Sequence, residues 1–525
     1  MKQMRRLCSL ILLAVLVLPG FAANKKPKLV LAVVVDQFRY DYLLRFRADY
    51  HGGIARLLEH GAVFADAHYI QFPTVTAIGH STFLTGATPS VSGIIGNEWY
   101  DRATSRSVTS VSDDTTKLLG GVPGASGSSP NRLLVSTVTD ELRMARPNAK
   151  VISISVKDRS SILPGGHTAN AAYWFDSDSN HFVTSTFYMN DLPAWVKKVN
   201  QDRPISKYLG ATWSALDAKA GDKPFCTMTA GTEVPFCAAL EQTPFSNEIL
   251  EDFAEKTIEN EQLGAHEETD VLALSFSAND YVGHALGPDA PQIRDISIRT
   301  DQTLGKLLDF IDAKIGAGNT LVVFTADHGV APVPEVNQER KMPGGRLDGA
   351  VMARSLNDAL SAKFGKGNWI LSQAYGMFYL DYETAKKNNA DLVEVRRYAA
   401  EVARGFPHIA RVYTRDELLA GPPGTAVDRT GRAIQLGFYG PRSGDIFPLP
   451  EPYWMFSATG TTHALPYSYD THVPLIFYGT GIRPGIHYQA VTVNDAAPTL
   501  SAILQVERPS GSYGRILSEV MEEIR

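Results

Sequence analysis

Residues 320–329 read TLVVFTADHG, and the fold is decided by how this stretch is read. Thr320–Thr325 is a short, uncharged run of valine, leucine, phenylalanine and threonine, and Asp327 and His328 follow it at once. Such a run predicts a strand buried on both faces, as a parallel sheet requires. Lys28–Asp36 (KLVLAVVVD), Lys150–Ser155 (KVISIS) and Val271–Ser277 (VLALSFS) share the pattern, and Val473–Tyr478 (VPLIFY) is a fifth candidate parallel strand. Helical patterns lie between them, at Ile54–His60, Val135–Arg143 and Pro291–Ile315. The alternation predicts an α/β fold: a central, mostly parallel sheet with helices on both faces. In such sheets ligands gather at the C-terminal ends of the strands.

Those ends carry the chemistry. Asp327 and His328 end one run, Asp36 ends another, and Asp280 and His284 follow a third in VLALSFSANDYVGH (271–284). Ionisable groups beside buried strands are costly unless something pairs with them. A lone Asp–His pair is more often capped or ion-paired than a metal ligand. Several pairs on neighbouring strand ends point to divalent metal, with the oxygen and imidazole donors that suit zinc. GTTHALPYSYDTHVPL (460–475) adds His463 in a Gly/Thr loop, and His472, which reads equally well as structural. The set is large enough for two zinc ions, which can hold the attacking and leaving oxygens of a displacement at phosphorus.

In FPTVTAIGHSTFLTG (72–86) a helix is expected after Thr76, placing its hydroxyl at a helix N-terminus that favours anions. A metal that lowered its pKa would make this hydroxyl a nucleophile; otherwise Thr76 is simply an N-cap. Thr74 could take either role, and His80, one turn on, reads as a supporting group. Lys157 and Arg159, in VKDR directly after KVISIS, would place two cations at the same sheet edge. Two cations suit a phosphate monoester, a dianion near neutral pH, better than a singly charged diester.

A chain of 525 residues, 44% of them hydrophobic, can bury a large core, and a net charge of −6 argues against nucleic acid or an anionic membrane as partner. MKQMRRLCSLILLAVLVLPGFAA has the basic start, apolar run and small residues of a secretory signal peptide, residues 1–22 with cleavage after Ala22. No later stretch is apolar enough to span a bilayer. Cys226 and Cys237 are expected to form a disulfide in a protein working outside the cytoplasm. Residues 23–525 read as one catalytic domain, with cap insertions at about 165–244 and 332–459. GGVPGASGSSP (120–130) reads as a flexible loop.

The motifs VVVDQ, PTVTAIGH, GIIGNEWYD, VKDRSSILPGGH, NDYVGHALGP, TADHG, GTTH and DAAPTL occur in this order. From about Lys25 to the C-terminus the chain resembles the alkaline phosphatase superfamily, most closely its phosphate-irrepressible (PafA-type) alkaline phosphatases. The resemblance implies that Asp280, His284 and His463 hold a zinc ion facing the leaving group. It implies that Asp36, Asp327 and His328 hold a second, which Thr76 also contacts. Thr76 would then form a phosphothreonine, Asn97 would bond a phosphoryl oxygen, and Lys157 and Arg159 would bind the phosphoryl group. The expected protein is a secreted or periplasmic hydrolase of small-molecule phosphate monoesters. The alternatives are a phosphodiesterase or nucleotide pyrophosphatase of the same superfamily; a sulfatase, to which Ser128–Arg132 (SSPNR) formally fits; and a catalytically inactive ectodomain.

Overall fold

The computed structural model describes residues 26–228, 239–421 and 428–521; the signal-peptide segment and Cys237 lie outside them. Leu29–Val35 is the centre of an eleven-stranded sheet. It pairs in parallel with Asp270–Phe276 on one side and Thr320–Thr325 on the other. Asp270–Phe276 continues in parallel to Val151–Ser155, and that strand to Ala171–Asp176. The four strands expected from their apolar runs are thus the four central ones, and every residue of each is buried. Their register matters for function. Leu29 lies level with both Asp270 and Thr320, and Ser155 with Ser275, so all four strands end at one edge.

Leu475–Gly479 runs antiparallel to Thr320–Thr325, against the parallel direction expected for the VPLIFY run. A fully apolar strand has no sidedness, so its sequence does not record its direction. Segment 165–244 also departs from its expected role as a cap. Its hairpin, Ala171–Asp176 and His181–Ser185, joins the central sheet, because the strands present apolar side chains on both faces. Within the stretch expected as a loop, Ser126–Ser128 forms a strand paired with Ser112–Leu119.

Helices cover both faces. Gly53–His60, Phe245–Glu261 and Pro291–Ile315 form one layer; Thr76–Thr85, Val138–Ala145, Asp158–Gly165 and Ala496–Leu504 form the other. Segment 332–459 builds a lobe of its own. Four strands, in the order Ile370–Ala374, Met377–Leu380, Ile446–Pro450 and Ile409–Thr414, pack on helices Gly349–Phe364 and Leu392–Arg404. Asp348 and Asp391 cap those helices, each accepting hydrogen bonds from first-turn N–H groups. Met352, Leu356, Leu360, Trp369, Phe378 and Val395 form the lobe's core.

Candidate active site

All of the candidate residues but Thr76, Asn97 and His463 sit just past a central strand. Asp36 follows Leu29–Val35 directly, its N–H bonded to the Phe276 carbonyl. Asp327 and His328 follow Thr320–Thr325. Asp280 and His284 lie on the short helix Ala278–Leu286 after Asp270–Phe276, four residues apart and so on one face. Lys157 caps helix Asp158–Gly165 after Val151–Ser155, and Arg159 is in that helix's first turn. His463 comes from a loop beyond the 332–459 lobe. It is fixed by an Nδ1–H bond to the Thr74 carbonyl at 2.7 Å.

Two clusters result: Asp36, Asp327 and His328, and Asp280, His328 and His463. His328 belongs to both, its ring stacked on that of His463. His284 joins the second cluster, its Nε2 3.2 Å from Asp280 Oδ1 and 3.2 Å from His463 Nε2.

Hydrogen bonding fixes the tautomers. Nδ1 of His284 meets the Thr461 carbonyl, Nδ1 of His328 the Gly329 carbonyl and Nδ1 of His463 the Thr74 carbonyl. Carbonyls only accept, so all three rings carry a proton on Nδ1 and, when neutral, turn a lone pair inward at Nε2. With both rings neutral, as ligation requires, the facing His284 and His463 nitrogens are two acceptors with no donor between them. Asp36 Oδ1 and Asp327 Oδ2 are buried and accept no hydrogen bond: His328 Nε2, at 3.5 and 3.4 Å, is an acceptor, and His80 Nδ1, 3.3 Å from Asp327 Oδ2, is engaged by the Thr76 carbonyl. Buried acceptors converging without donors are what a pair of cations satisfies, so these residues fit divalent metal.

The electrostatics agree. Burial, reinforced by the Asp280 and Asp327 carboxylates, pushes Asp36 up to about 7. Asp280 is equally buried, but Lys157 and His284 hold it well below the usual carboxylate range. Burial lowers His328 to about 4, and burial with the two flanking imidazoles lowers His463 far below its usual value, leaving neutral rings that can ligate. Burial also opposes protonation of His284, yet Asp280 wins and raises it to about 9, so this ring must shed a proton to ligate.

Thr76 is the first residue of helix Thr76–Thr85, and Val75 occupies the cap position, so Thr76 is not an N-cap. Its Oγ1 lies 3.4 Å from His328 Nε2. The Thr74 hydroxyl is committed to the Leu465 carbonyl. His80 supports the turn at Thr76, with Nδ1 2.9 Å from the Thr76 carbonyl and Nε2 2.7 Å from Ser275 Oγ. Gly79 lets the helix approach this closely: a Cβ there would come 2.2 Å from the Asp327 carbonyl oxygen. Asn97 Oδ1 accepts from the Ala77 N–H at 2.8 Å.

Lys157 Nζ donates to Asp36 Oδ2 and Asp280 Oδ2, both at 2.5 Å, bridging one carboxylate from each cluster. The Arg159 Nε is buried without a hydrogen-bond partner, and its nearest carboxylate, Asp158, is 3.9 Å away, so this guanidinium is uncommitted. His472 is structural: it donates to the Ala65 carbonyl and stacks on Tyr40 and His68. Asp66, His68 and His472 also gather closely enough for an ion, but both His68 nitrogens are engaged, by Thr471 and Asp66. Ser128, the sulfatase-like residue, is buried in its strand, with its hydroxyl donated to Asp158 at 3.2 Å.

Sequence reading missed two residues. Gln37, directly after Asp36, adopts φ 61°, donates its backbone N–H to Asp327 Oδ1 at 3.0 Å and its side-chain amide to Asp280 Oδ1 at 2.6 Å. It therefore orients a carboxylate of each cluster. Gly283 makes room for it, since a Cβ there would sit 1.8 Å from Gln37 Oε1. Tyr375, at a hairpin tip of the 332–459 lobe, accepts the Asn97 N–H on its hydroxyl at 3.1 Å. The only sequence signal for Gln37 is its place beside a ligand; Tyr375 has none.

The sequence pattern of the type I phosphodiesterase / nucleotide pyrophosphatase family matches residues 30–472. Alkaline phosphatase PafA of Elizabethkingia meningoseptica is 35% identical over 542 residues, covering 97% of this chain and 98% of its own. A Myroides odoratus protein named calcium-transporting ATPase is 36% identical over 527 residues, covering 95% of each chain. A crystal structure of wild-type PafA superposes with a TM-score of 0.88 at 34% identity, covering 95% of this chain and 100% of that one.

Proposed function

This chain belongs to the type I phosphodiesterase / nucleotide pyrophosphatase family and, within the alkaline phosphatase superfamily, is a PafA-like phosphate monoester hydrolase; on that premise we propose that it works with two zinc ions through a phosphothreonine at Thr76. The observation that carries this reading is the meeting of both donor clusters at His328, 3.4 Å from the Thr76 hydroxyl.

Asp280, His284 and His463 would hold one ion, and Asp36, Asp327 and His328 the other. Six oxygen and imidazole donors, with no thiolate among them, suit zinc. Bound there, the pair would lower the pKa of the Thr76 hydroxyl and neutralise charge on the departing oxygen.

The chain's own residues do the rest. Thr76 Oγ1 forms a bond to phosphorus as the ester P–O bond breaks, and the alcohol leaves with a proton. Water then attacks the phosphothreonine, releasing inorganic phosphate and restoring the hydroxyl. The helix N-terminus at Thr76 favours the phosphoryl charge. Asn97, anchored through the Ala77 N–H and Tyr375, keeps its amide nitrogen for a phosphoryl oxygen. Lys157 and the uncommitted Arg159 match the charge of a monoester dianion, and Arg159 can engage two oxygens at once.

The protein is proposed to act in the periplasm or after secretion. The signal-like N-terminus supports this, as does Cys226, which is disulfide-bonded. Among the described residues no helix is long and apolar enough to cross a membrane.

The family's description keeps a phosphodiesterase reading in view. Zinc quantitation together with the ratio of aryl phosphate to aryl methyl phosphate hydrolysis tests the proposal. Two zinc ions per chain and a monoester preference are expected; a diester preference would transfer the reading to the phosphodiesterases.

A further inference from the structure

A cavity of about 420 Å³ opens beside His463 and Val75, the residue before Thr76. Its opposite wall belongs to the 332–459 lobe, where Tyr375 at a hairpin tip faces Met455 and Phe456. We propose that this cavity receives the leaving group, and that it selects neutral, apolar leaving groups, aromatic rings above all, over anionic ones. This rests on the reading that His463 holds the ion facing the departing oxygen.

No lysine or arginine lines the cavity, and its one carboxylate, Glu98, is exposed at the wall. The cations of the site, Lys157 and Arg159, are absent from its lining, although Arg159 lies near enough to Tyr375 to act on its hydroxyl, so the wall that organic bulk would meet carries no cation of its own. A leaving group bearing a carboxylate or a further phosphate would meet Glu98 and no cation in the lining. The volume is that of an ordinary small-molecule site. The wall is also tied to the reacting centre: Tyr375, held at φ 50°, accepts the Asn97 N–H, so the hairpin that bounds the cavity also props the phosphoryl-binding residue.

The test compares three primary alkyl phosphates of similar intrinsic reactivity: 2-phenylethyl, ethyl and 2-carboxyethyl phosphate. A phenyl ring buried there loses on the order of 100 Å² of apolar exposure, so kcat/KM should favour the phenylethyl over the ethyl ester by roughly 30- to 250-fold. The carboxyethyl ester should fall below the ethyl ester. Phe456→Ala should bring the phenylethyl/ethyl ratio toward unity. Phe456 also packs on the lobe core, so Ala350→Phe, which fills the cavity from an exposed position, provides a second reading and should lower the same ratio. A wild-type ratio within about twofold of unity, or one that neither substitution moves, would overturn the assignment. If none of the esters released phosphate, the monoesterase reading itself would fail, a result distinct from equal turnover of all three.

Discussion

Gln37→Met isolates the contribution of a single amide to metal binding. Methionine keeps the length and volume of glutamine but removes the N–H donated to Asp280 Oδ1 at 2.6 Å. Hydrogen bonds to charged groups contribute about 1.5–3 kcal/mol net, equivalent to roughly 10- to 100-fold in an equilibrium constant, the usual cost of losing a group that orients a metal ligand. The loss should be confined to one site. The Gln37 backbone N–H still holds Asp327 Oδ1, so an ion held as proposed by Asp36, Asp327 and His328 would keep its orienting bond. Competition of the purified protein with a calibrated zinc chelator should give two affinities in the wild type. In the variant only one of them should weaken, by about 10- to 100-fold. Circular dichroism and thermal unfolding of the metal-loaded protein should show the native fold. A folded variant whose two affinities both stay within about twofold of wild type would refute the argument that Gln37 aligns Asp280.

Thr76→Ala should remove measurable turnover, whereas Thr76→Ser, which keeps a hydroxyl on the same helical turn, should retain it; both are read by phosphate release. Arg159→Ala should lower kcat/KM for a monoester by about 10- to 100-fold and for the matching diester by clearly less, the difference reflecting the monoester's extra charge. Asp140 accepts from the Thr137 and Thr168 N–H groups and lies 3.2 Å from His167 Nδ1, so Asp140→Ala should cost about 1–3 kcal/mol in thermal stability. That pair also sets a pH dependence. Burial opposes ionisation of Asp140, but His167 and the N–H donors depress its pKa, so its stabilising effect is present above the unfolded carboxyl pKa near 4 and lost on acidification. Asp140 raises the pKa of His167, whose contribution is complete below about pH 6.5 and lost as pH rises through the raised value. The melting-temperature gap between wild type and Asp140→Asn should therefore be widest near pH 5–6 and narrower at pH 9.

The central fold was legible because four short runs, rich in valine, leucine or isoleucine and uncharged between their ends, read as strands buried on both faces whose ends face one edge. The direction of Leu475–Gly479 was not, since an apolar strand reads the same either way along the sheet. Nor was the entry of Ala171–Asp176 into that sheet, because its aromatic residues would serve a cap equally well. Asp36, Asp280, Asp327 and His328 stood out as charges abutting apolar runs. The bridge from Lys157 to Asp36 and Asp280 depends on the strand register and could not be read locally. Tyr375 is harder still: its contact with Asn97 spans most of the chain and the boundary between the lobe and the sheet domain.

The most direct measurement is acid quenching of the enzyme during turnover of a phosphate-labelled monoester, followed by peptide mapping. The account predicts label on Thr76, absent from Thr76→Ala. Turnover with no covalent label, or with label on another residue, would contradict it.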